Sequence, residues 1–122
     1  MTNQEAFDKV ARHLLTQKKK SVGVFKPWTG EICMYRSPTG EKCAIGCLIE
    51  NAEYKQEFER EDVYGLVRRF DPPSLRGVDT DVLKSLQVVH DYSTEESWAE
   101  ALLEVAEYFN LKVIIPLPEV MS

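Results

Sequence analysis

Apolar residues near the start of the chain recur at the spacing of a helix, with polar residues between them. Positions i, i+3, i+4, i+7 and i+8 of one stripe are filled by Phe7, Val10, Ala11, Leu14 and Leu15. Such a stripe predicts an amphipathic helix with one buried face. Just before it, Thr2 and Glu5 match a capping box, in which each side chain accepts a hydrogen bond from the other residue's backbone N–H. The pattern therefore predicts where the first helix begins.

Helical patterns return in the second half of the chain, so we predict about five helices in all. The later segments with such patterns are 52–59, 63–70, 80–90 and 94–109. Asn51 and Thr80 are predicted to cap the first and third of these segments. Ser93 and Glu96 form a second capping-box match ahead of the last one. A short helix is also expected in the uncharged run after Lys42.

The segment after the first helix favours extended structure instead. Two short strands, 22–26 and 31–36, flank a turn signal at Pro27–Gly30. The chain is therefore predicted to be mainly α with a small β-hairpin (α+β), folded as a single compact domain over residues 1–111. Residues 112–122 are predicted to form a C-terminal strand or a flexible tail, because their prolines end regular structure.

Composition and charge narrow the classes of partner. The 122 residues are 43% hydrophobic and 29% charged, as in an ordinary globular domain. No run reaches the roughly 18 apolar residues of a membrane span, and no signal peptide opens the chain, so we predict a cytoplasmic protein without a membrane partner. Residues 1–49 carry eight Lys/Arg against four Asp/Glu (+4), whereas residues 50–122 carry seven against sixteen (−9). Because an acidic protein repels phosphate backbones, nucleic acid is disfavoured as a partner.

The three cysteines admit three hypotheses. Cys33, Cys43 and Cys47, with His90 or His13 as a fourth ligand, form a candidate zinc site. The candidate is weak, because structural zinc usually takes two close pairs of ligands and the second pair is missing. Cys43 follows a lysine and is a candidate reactive thiol, but no evident base accompanies it. The favoured hypothesis is structural, with the small residues allowing a close backbone approach at Gly46. We therefore expect no cofactor and no metal.

The segment YRSPTGEKCAIGCLI at residues 35–49 resembles a motif of small uncharacterised proteins from tailed phages and prophages. The opening helix (Thr2–Asp8), the segment Leu86–Asp91 and Trp98 resemble the same group, so the similarity extends over residues 2 to about 110. One departure is Glu50, with the asparagine after it, where the group often has proline. The resemblance implies a phage-type source and a fold, and it implies neither an enzyme activity nor a cofactor.

Several polar and aromatic residues lie next to apolar runs and are candidates for a ligand site. They are Trp28, Arg36, Lys42, His90, Asp91 and Tyr92. A guanidinium, an ammonium and an aromatic face together suit a phosphorylated base. The His90–Asp91 pair is expected to fix the tautomer of His90 or to donate a hydrogen bond to the hairpin backbone. The alternative is that His90 is a histidine at the edge of the core, satisfied by a backbone carbonyl.

The sequence predicts function by contact rather than by chemistry. It contains no Gly-x-Ser-x-Gly, phosphate-loop or His-Glu-x-x-His pattern. The favoured hypothesis is a small phage-type accessory protein that binds a host or phage protein, in the host cytoplasm if phage-encoded. One alternative is a small-molecule binding protein that takes a nucleotide signal and so counters host defence. The other is a zinc- or thiol-dependent protein. Self-association through an exposed Trp28 loop or through the C-terminal residues is also open.

Overall fold

The computed structural model describes residues 1–25 and 29–113 of the chain. Within these residues, four α-helices and one two-stranded antiparallel sheet form the fold. In chain order they are α1 (Asn3–Gln17), β1 (Val22–Gly23), β2 (Ile32–Cys33), α2 (Val63–Phe70), α3 (Thr80–Tyr92) and α4 (Trp98–Tyr108). Short 3-10 turns lie at Gly46–Leu48, Gln56–Arg60, Pro73–Leu75 and Glu95–Ser97. The predicted α+β class is confirmed, with four α-helices in the described part of the chain where about five were expected.

Helix α1 begins and packs as its pattern predicts. The Thr2 hydroxyl accepts the Glu5 N–H at 3.1 Å, and the Glu5 carboxylate accepts the Thr2 N–H at 2.8 Å, which completes the capping box. Phe7 and Leu14 lie on its fully buried face. The helix ends at Lys18, whose left-handed backbone (φ 56°) lets its N–H donate to the Leu14 carbonyl at 2.8 Å.

The segment between β2 and α2 differs from its prediction. Residues after Lys42 form turns and the 3-10 turn Gly46–Leu48, and residues 52–59 form turns and the 3-10 turn that starts at Gln56, so neither is an α-helix. The physical reason for the first lies at Gly46, where an added Cβ would overlap the carbonyl oxygen of Tyr35. The backbone crossing that requires glycine is therefore present, but it occurs in a turn. In the second segment, the Glu59 carboxylate accepts the backbone N–H groups of Tyr35 and Arg36, and this contact holds the 3-10 turn against residues 35 and 36.

Two predicted helix caps are also wrong. Asp79, not Thr80, precedes α3, and its backbone N–H donates to the Asn3 side chain at 2.8 Å. The capping box expected at Ser93 does not form, because the 3-10 turn Glu95–Ser97 is inserted before α4. The C-terminal end of α4 does follow the prediction, since Asn110 adopts a left-handed backbone with φ 57°.

The hairpin is shorter than expected. Val22 pairs with Cys33 and Gly23 with Ile32, and one isolated bridge joins Arg36 to Lys42 across the following turn. Residues 26–28, which contain the end of the predicted first strand and Trp28, lie outside the described residues. The described part of the sheet is therefore only two residue pairs long.

The core lies where α1, α3 and α4 meet, and α2 packs on α3. Its largest fully buried side chains include Trp98, Phe7, Leu83, Leu86 and Leu102. None of the helices in the described ranges has both the length and the apolarity needed to cross a bilayer. Residues 112 and 113 have no regular secondary structure, and 114–122 lie outside the described residues, so the boundary at 111 stays a prediction.

Candidate functional site

His90 lies near the end of α3 and is fully buried against α4. Its Nε2 accepts the backbone N–H of Ser21 at 2.9 Å, so this nitrogen carries a lone pair rather than a proton. The proton is then on Nδ1, which donates to the Asp91 carboxylate at 2.8 Å. The ring also stacks on Trp98, with 5.6 Å between centroids. The His90–Asp91 pair therefore fixes one tautomer. The ring accepts a hydrogen bond from the Ser21 backbone, whereas a donation to the hairpin backbone or to a backbone carbonyl was expected.

Asp91 belongs to a wider network that joins α3 to the cysteine segment. Gln87 lies one helical turn earlier and donates to the Asp91 carboxylate at 2.9 Å. The Gln87 side-chain oxygen accepts the N–H of Ile45 at 3.1 Å. Lys20 reaches the backbone carbonyl of Asp91 at 3.4 Å. These bonds hold α3 against the backbone at Ile45 and against Lys20.

Arg36 is committed to internal contacts. Its guanidinium donates to the carbonyl of Ile49 at 2.7 Å, and its Cζ lies 4.6 Å from the centre of the Tyr54 ring. Its Nε is buried without a hydrogen-bond partner among the described residues. The guanidinium therefore stabilises the turn at residues 45–50 and does not face an open site.

Glu59 anchors the same region and was not identified from the sequence. This carboxylate is only 8% exposed and accepts hydrogen bonds from the N–H of Tyr35 (2.8 Å), the N–H of Arg36 (3.0 Å) and the hydroxyl of Tyr54. Burial, and then the bond to Glu59, raise the pKa of Tyr54. In the sequence Glu59 is one acidic residue in a charged segment, and no local pattern distinguishes it from its exposed neighbours.

Lys42 contributes through its backbone. Its N–H donates to the Gln17 side chain at 3.0 Å, and its carbonyl accepts from Gln17 at 2.9 Å and from His13 Nε2 at 2.8 Å. Burial lowers the pKa of His13. Tyr92 is 81% exposed at the end of α3. Of the predicted ligand residues, the structure joins His90 to Asp91 and pairs the backbones at 36 and 42, whereas Trp28 lies outside the described residues.

The candidate zinc ligands are only partly brought together. Within the described ranges, one group of potential ligands places its atoms within 4.8 Å of one another, and it consists of Cys33, His90 and Asp91. Neither Cys43 nor Cys47 belongs to it. The lone pair of His90 accepts the Ser21 N–H, and its other nitrogen carries the proton donated to Asp91. Binding a metal at His90 would therefore require the loss of one of these bonds, so the geometry does not fit a zinc site.

The thiols are in surroundings that disfavour the thiolate. Burial raises the pKa of Cys43 well above its ordinary value, and raises that of Cys47 to about 12. Cys33 is half-buried, and burial together with the nearby Asp91 carboxylate raises its pKa to about 11. A nucleophilic cysteine needs the opposite environment, with a cation or a helix N-terminus beside it. All three thiols are free in the structure.

An open groove lies on the other side of α3, between α3 and α4 with α2 at one edge. It has a volume of about 540 Å³, and its lining includes Val88, Val89, Ala101 and Val105. Val88 is 38% exposed, although a valine in a helix that packs on two neighbours is ordinarily covered. The periodicity of the sequence places α3 and α4, but the width of the space between them depends on tertiary packing.

The rim of the groove is aromatic and acidic. Tyr108 is 82% exposed, and Tyr64 is 43% exposed with its hydroxyl bonded to Asp81 at 2.7 Å. Glu104 lines the groove, and Glu100 and Glu107 are exposed one turn away on either side along α4. An apolar floor with aromatic side chains and a polar rim is typical of a protein-binding surface.

Searches against protein-family models, curated proteins and solved structures find no match to this chain. The functional argument therefore depends on the geometry of the site and on the sequence.

Proposed function

We propose that this chain is a small phage-type accessory protein that binds a host or phage protein and acts by contact, without catalysis. The observation that carries the proposal is the groove between α3 and α4, which exposes Val88 and Tyr108 in a cavity of about 540 Å³. Exposing apolar and aromatic side chains to water on one concave surface is unfavourable. Such a surface therefore indicates that something covers it in use. The groove is therefore the proposed contact surface.

The polar residues support contact rather than chemistry. Arg36 bonds to Ile49, His90 bonds to Ser21 and Asp91, and the cysteines have raised pKa values. Side chains that are hydrogen-bonded within the fold stabilise it and are poorly placed to act on a substrate. The groups that resembled a reactive site in the sequence are better explained as parts of the scaffold.

The charge of the groove defines the kind of partner. The charged residues that line the groove are Asp81, Glu104 and Lys84, and Glu100 and Glu107 are exposed on α4 on either side of Glu104, so the surroundings are acidic on balance. We propose that the partner presents an apolar helix or loop flanked by lysine or arginine. Complementary charge of this kind increases the rate of association and weakens as salt is added.

The test compares two valine variants of the full chain. Val88→Arg places a charge in the groove, and Val24→Arg makes the same change at a valine that is 59% exposed outside it. A photo-reactive phenylalanine in place of Tyr108 is used to capture the partner from host extract, and tryptic mass spectrometry identifies the cross-linked peptide. We expect one apolar, basic peptide, lost in Val88→Arg and kept in Val24→Arg. Equal capture by both variants would contradict the proposal.

A second candidate function has its own observation. A cavity of about 340 Å³ on the outer face of α1 is lined by Lys9, Arg12, His13, Thr16 and Gln17. Its cations suit an anionic small molecule such as the nucleotide signal proposed as the alternative function. The test is thermal unfolding with a panel of nucleotides on the wild type and on Arg12→Ala, with Arg68→Ala as an exposed control on another helix. A shift that only Arg12→Ala abolishes would support this candidate, and no shift with any nucleotide would reject it.

The third hypothesis, a zinc- or thiol-dependent protein, is the least supported by the geometry. Native and denaturing mass spectra of the fresh protein test it directly. A mass increase of one zinc that disappears on denaturation would support it over the contact proposal. We expect the bare mass of the chain with three free thiols.

A further inference from the structure

Two surfaces of this molecule carry opposite charge and have no residue in common. The first is the groove between α3 and α4, with its acidic surroundings. The second is the exposed side of α1, called here the basic face, which is formed by Lys9, Arg12, His13, Thr16 and Gln17. We infer that the basic face of one molecule binds in the groove of a second copy of this chain. The inference concerns the same groove as the proposed function, but it does not depend on the existence of a different partner.

The long cationic side chains of the basic face fit the lining of the groove. Lysine and arginine have apolar stems that cover apolar surface while their charged heads remain at its edge. In the groove, Val88 and Val105 provide apolar surface for such stems, and the carboxylate of Glu104 is available to a charged head. The exposed rings of Tyr64 and Tyr108 add aromatic faces on which a guanidinium stacks favourably. A helix that presents lysine and arginine therefore suits both the floor and the rim.

The charges on the two surfaces are not engaged within the molecule. Lys9 and Arg12 are exposed on α1, and Glu104 and Glu107 are exposed on α4. Among residues 1–25 and 29–113, none of these four side chains takes part in an ion pair or a hydrogen bond. The cations of one copy and the carboxylates of the next are therefore available to each other.

The spacing of the charges also agrees between the two helices. Arg12 follows Lys9 by three residues on α1, and Glu107 follows Glu104 by three residues on α4. At the helical rise of about 1.5 Å per residue, the members of each pair lie about 4.5 Å apart along the helix axis. Residues at this spacing are neighbours on one side of a helix. Two helices that pack side by side at the interface therefore pair both cations with both carboxylates.

The two surfaces make the association head-to-tail. Within the described ranges, no residue that lines the groove belongs to the basic face, so a molecule that offers one surface keeps the other available. Contacts between two different surfaces extend into rings or filaments, whereas a two-fold dimer uses the same surface twice. We therefore expect assembly that continues beyond the dimer as the protein concentration rises. A different partner must then compete with the second copy for the groove.

The experiment uses two variants of the full chain, each of which disables one surface. Arg12→Glu reverses a charge of the basic face and leaves the groove intact, whereas Val88→Arg disables the groove and leaves the basic face intact. Sedimentation velocity over a range of concentrations is expected to show association of the wild type and, in each variant alone, association weakened about tenfold or more. An equimolar mixture of the two variants is expected to form a 1:1 dimer, because it contains one intact basic face and one intact groove.

Each variant has a matched control. Lys55→Glu makes the same change of net charge at an exposed lysine outside both surfaces. Val24→Arg introduces the same side chain as Val88→Arg at a valine that is 59% exposed outside the groove. Both controls should associate as the wild type does. Circular dichroism checks that every variant is folded, and Glu104→Arg, a change on the exposed rim, is the groove variant if Val88→Arg is not.

Several results would overturn the inference. One is a wild type that stays monomeric at every concentration, and another is a mixture of the two variants that stays monomeric. Association that is lost in Val88→Arg but kept in Arg12→Glu would indicate instead that two grooves meet around a two-fold axis. Salt gives a further check, because the Debye length falls from about 10 Å at 0.1 M to about 3 Å at 1 M. Association of the wild type should weaken about tenfold over this range, and unchanged association would exclude the charge pairing.

These outcomes are separate from partner capture, because the purified protein contains no component of the host extract. If self-association fails, loss of capture in Val88→Arg still tests the proposed function. If the mixture dimerises but no partner is captured, the proposed function fails alone. When both are correct, Arg12→Glu should increase partner capture, since second copies no longer compete for the groove.

Discussion

The two faces of α3 differ in whether their side chains are already bonded within the fold or are exposed. On one face, Gln87, His90 and Asp91 form a closed network in which the functional groups bond to the hairpin and the cysteine segment. On the other face, Val88 is exposed in an open apolar groove. In the sequence the polar face resembles a reactive site, but in the structure its groups are hydrogen-bonded to other parts of the chain. The difference teaches that the availability of a residue, rather than its type, distinguishes a binding surface from a scaffold.

The largest effect is expected where the closed face depends on one glycine. Gly46→Ala would place a Cβ on the Tyr35 carbonyl, and because backbone cannot move aside, we expect a loss of roughly 4 kcal/mol or more. Urea unfolding monitored by the buried Trp98 measures it. Gly65→Ala is the control, since its Cβ meets side-chain oxygens of Glu61 and Asp62 that can move. Equal losses in the two variants would contradict the crossing at Gly46.

The next effect concerns the buried carboxylate. Glu59→Ala removes the acceptor of two backbone N–H groups and of the Tyr54 hydroxyl, so we expect a loss of about 3 kcal/mol. Glu57→Ala, at an exposed neighbour, should stay within about 0.5 kcal/mol. The same unfolding assay compares them. If Glu59→Ala is neutral, the closed network does not stabilise the fold in the way described.

Alkylation rates test whether the cysteine segment is closed. The pKa of Cys33 rises from 9.0 to about 11, so at pH 8 its thiolate fraction falls about a hundredfold. Iodoacetamide labelling of the native protein, followed by peptide mass spectrometry, should therefore be slow at all three cysteines and rapid in urea. Rapid native labelling of Cys43 would revive the reactive-thiol hypothesis.

The smallest effect is a change in the pH dependence of stability. Burial lowers the pKa of His13 below its model-compound value of 6.5, so the unfolded chain binds its proton more readily. The contribution of neutral His13 is fully present above pH 6.5 and is lost as the pH falls through that value toward the folded pKa. His13→Gln should flatten this part of the stability curve below pH 6.5. An unchanged slope would remove His13 as its source.

The outcome shows what local patterns encode in this chain. Helices α1, α2, α3 and α4 follow from apolar periodicity, because each buries one stripe, although α3 extends to Tyr92 and α4 begins only at Trp98. Residues 43–60 did not follow their pattern, since contacts distant in sequence, Gly46 with Tyr35 and Glu59 with the 35–36 backbone, decide their conformation.

The candidate site divides in the same way. The pairing of His90 with Asp91 is local and could be anticipated from two adjacent residues. The groove requires the relative placement of α2, α3 and α4, which no short segment specifies. The resemblance to phage proteins and the cytoplasmic location stay predictions.

One measurement tests the central claim that the open face, and not the polar face, makes the functional contact. Partner capture is quantified for Val88→Arg, Val24→Arg and Arg36→Lys, each first checked for the native unfolding midpoint. We predict that capture falls about tenfold or more in Val88→Arg alone, the effect expected at a central contact residue. Retained capture in Val88→Arg, with loss in Arg36→Lys, would contradict the account and return the search to the polar face.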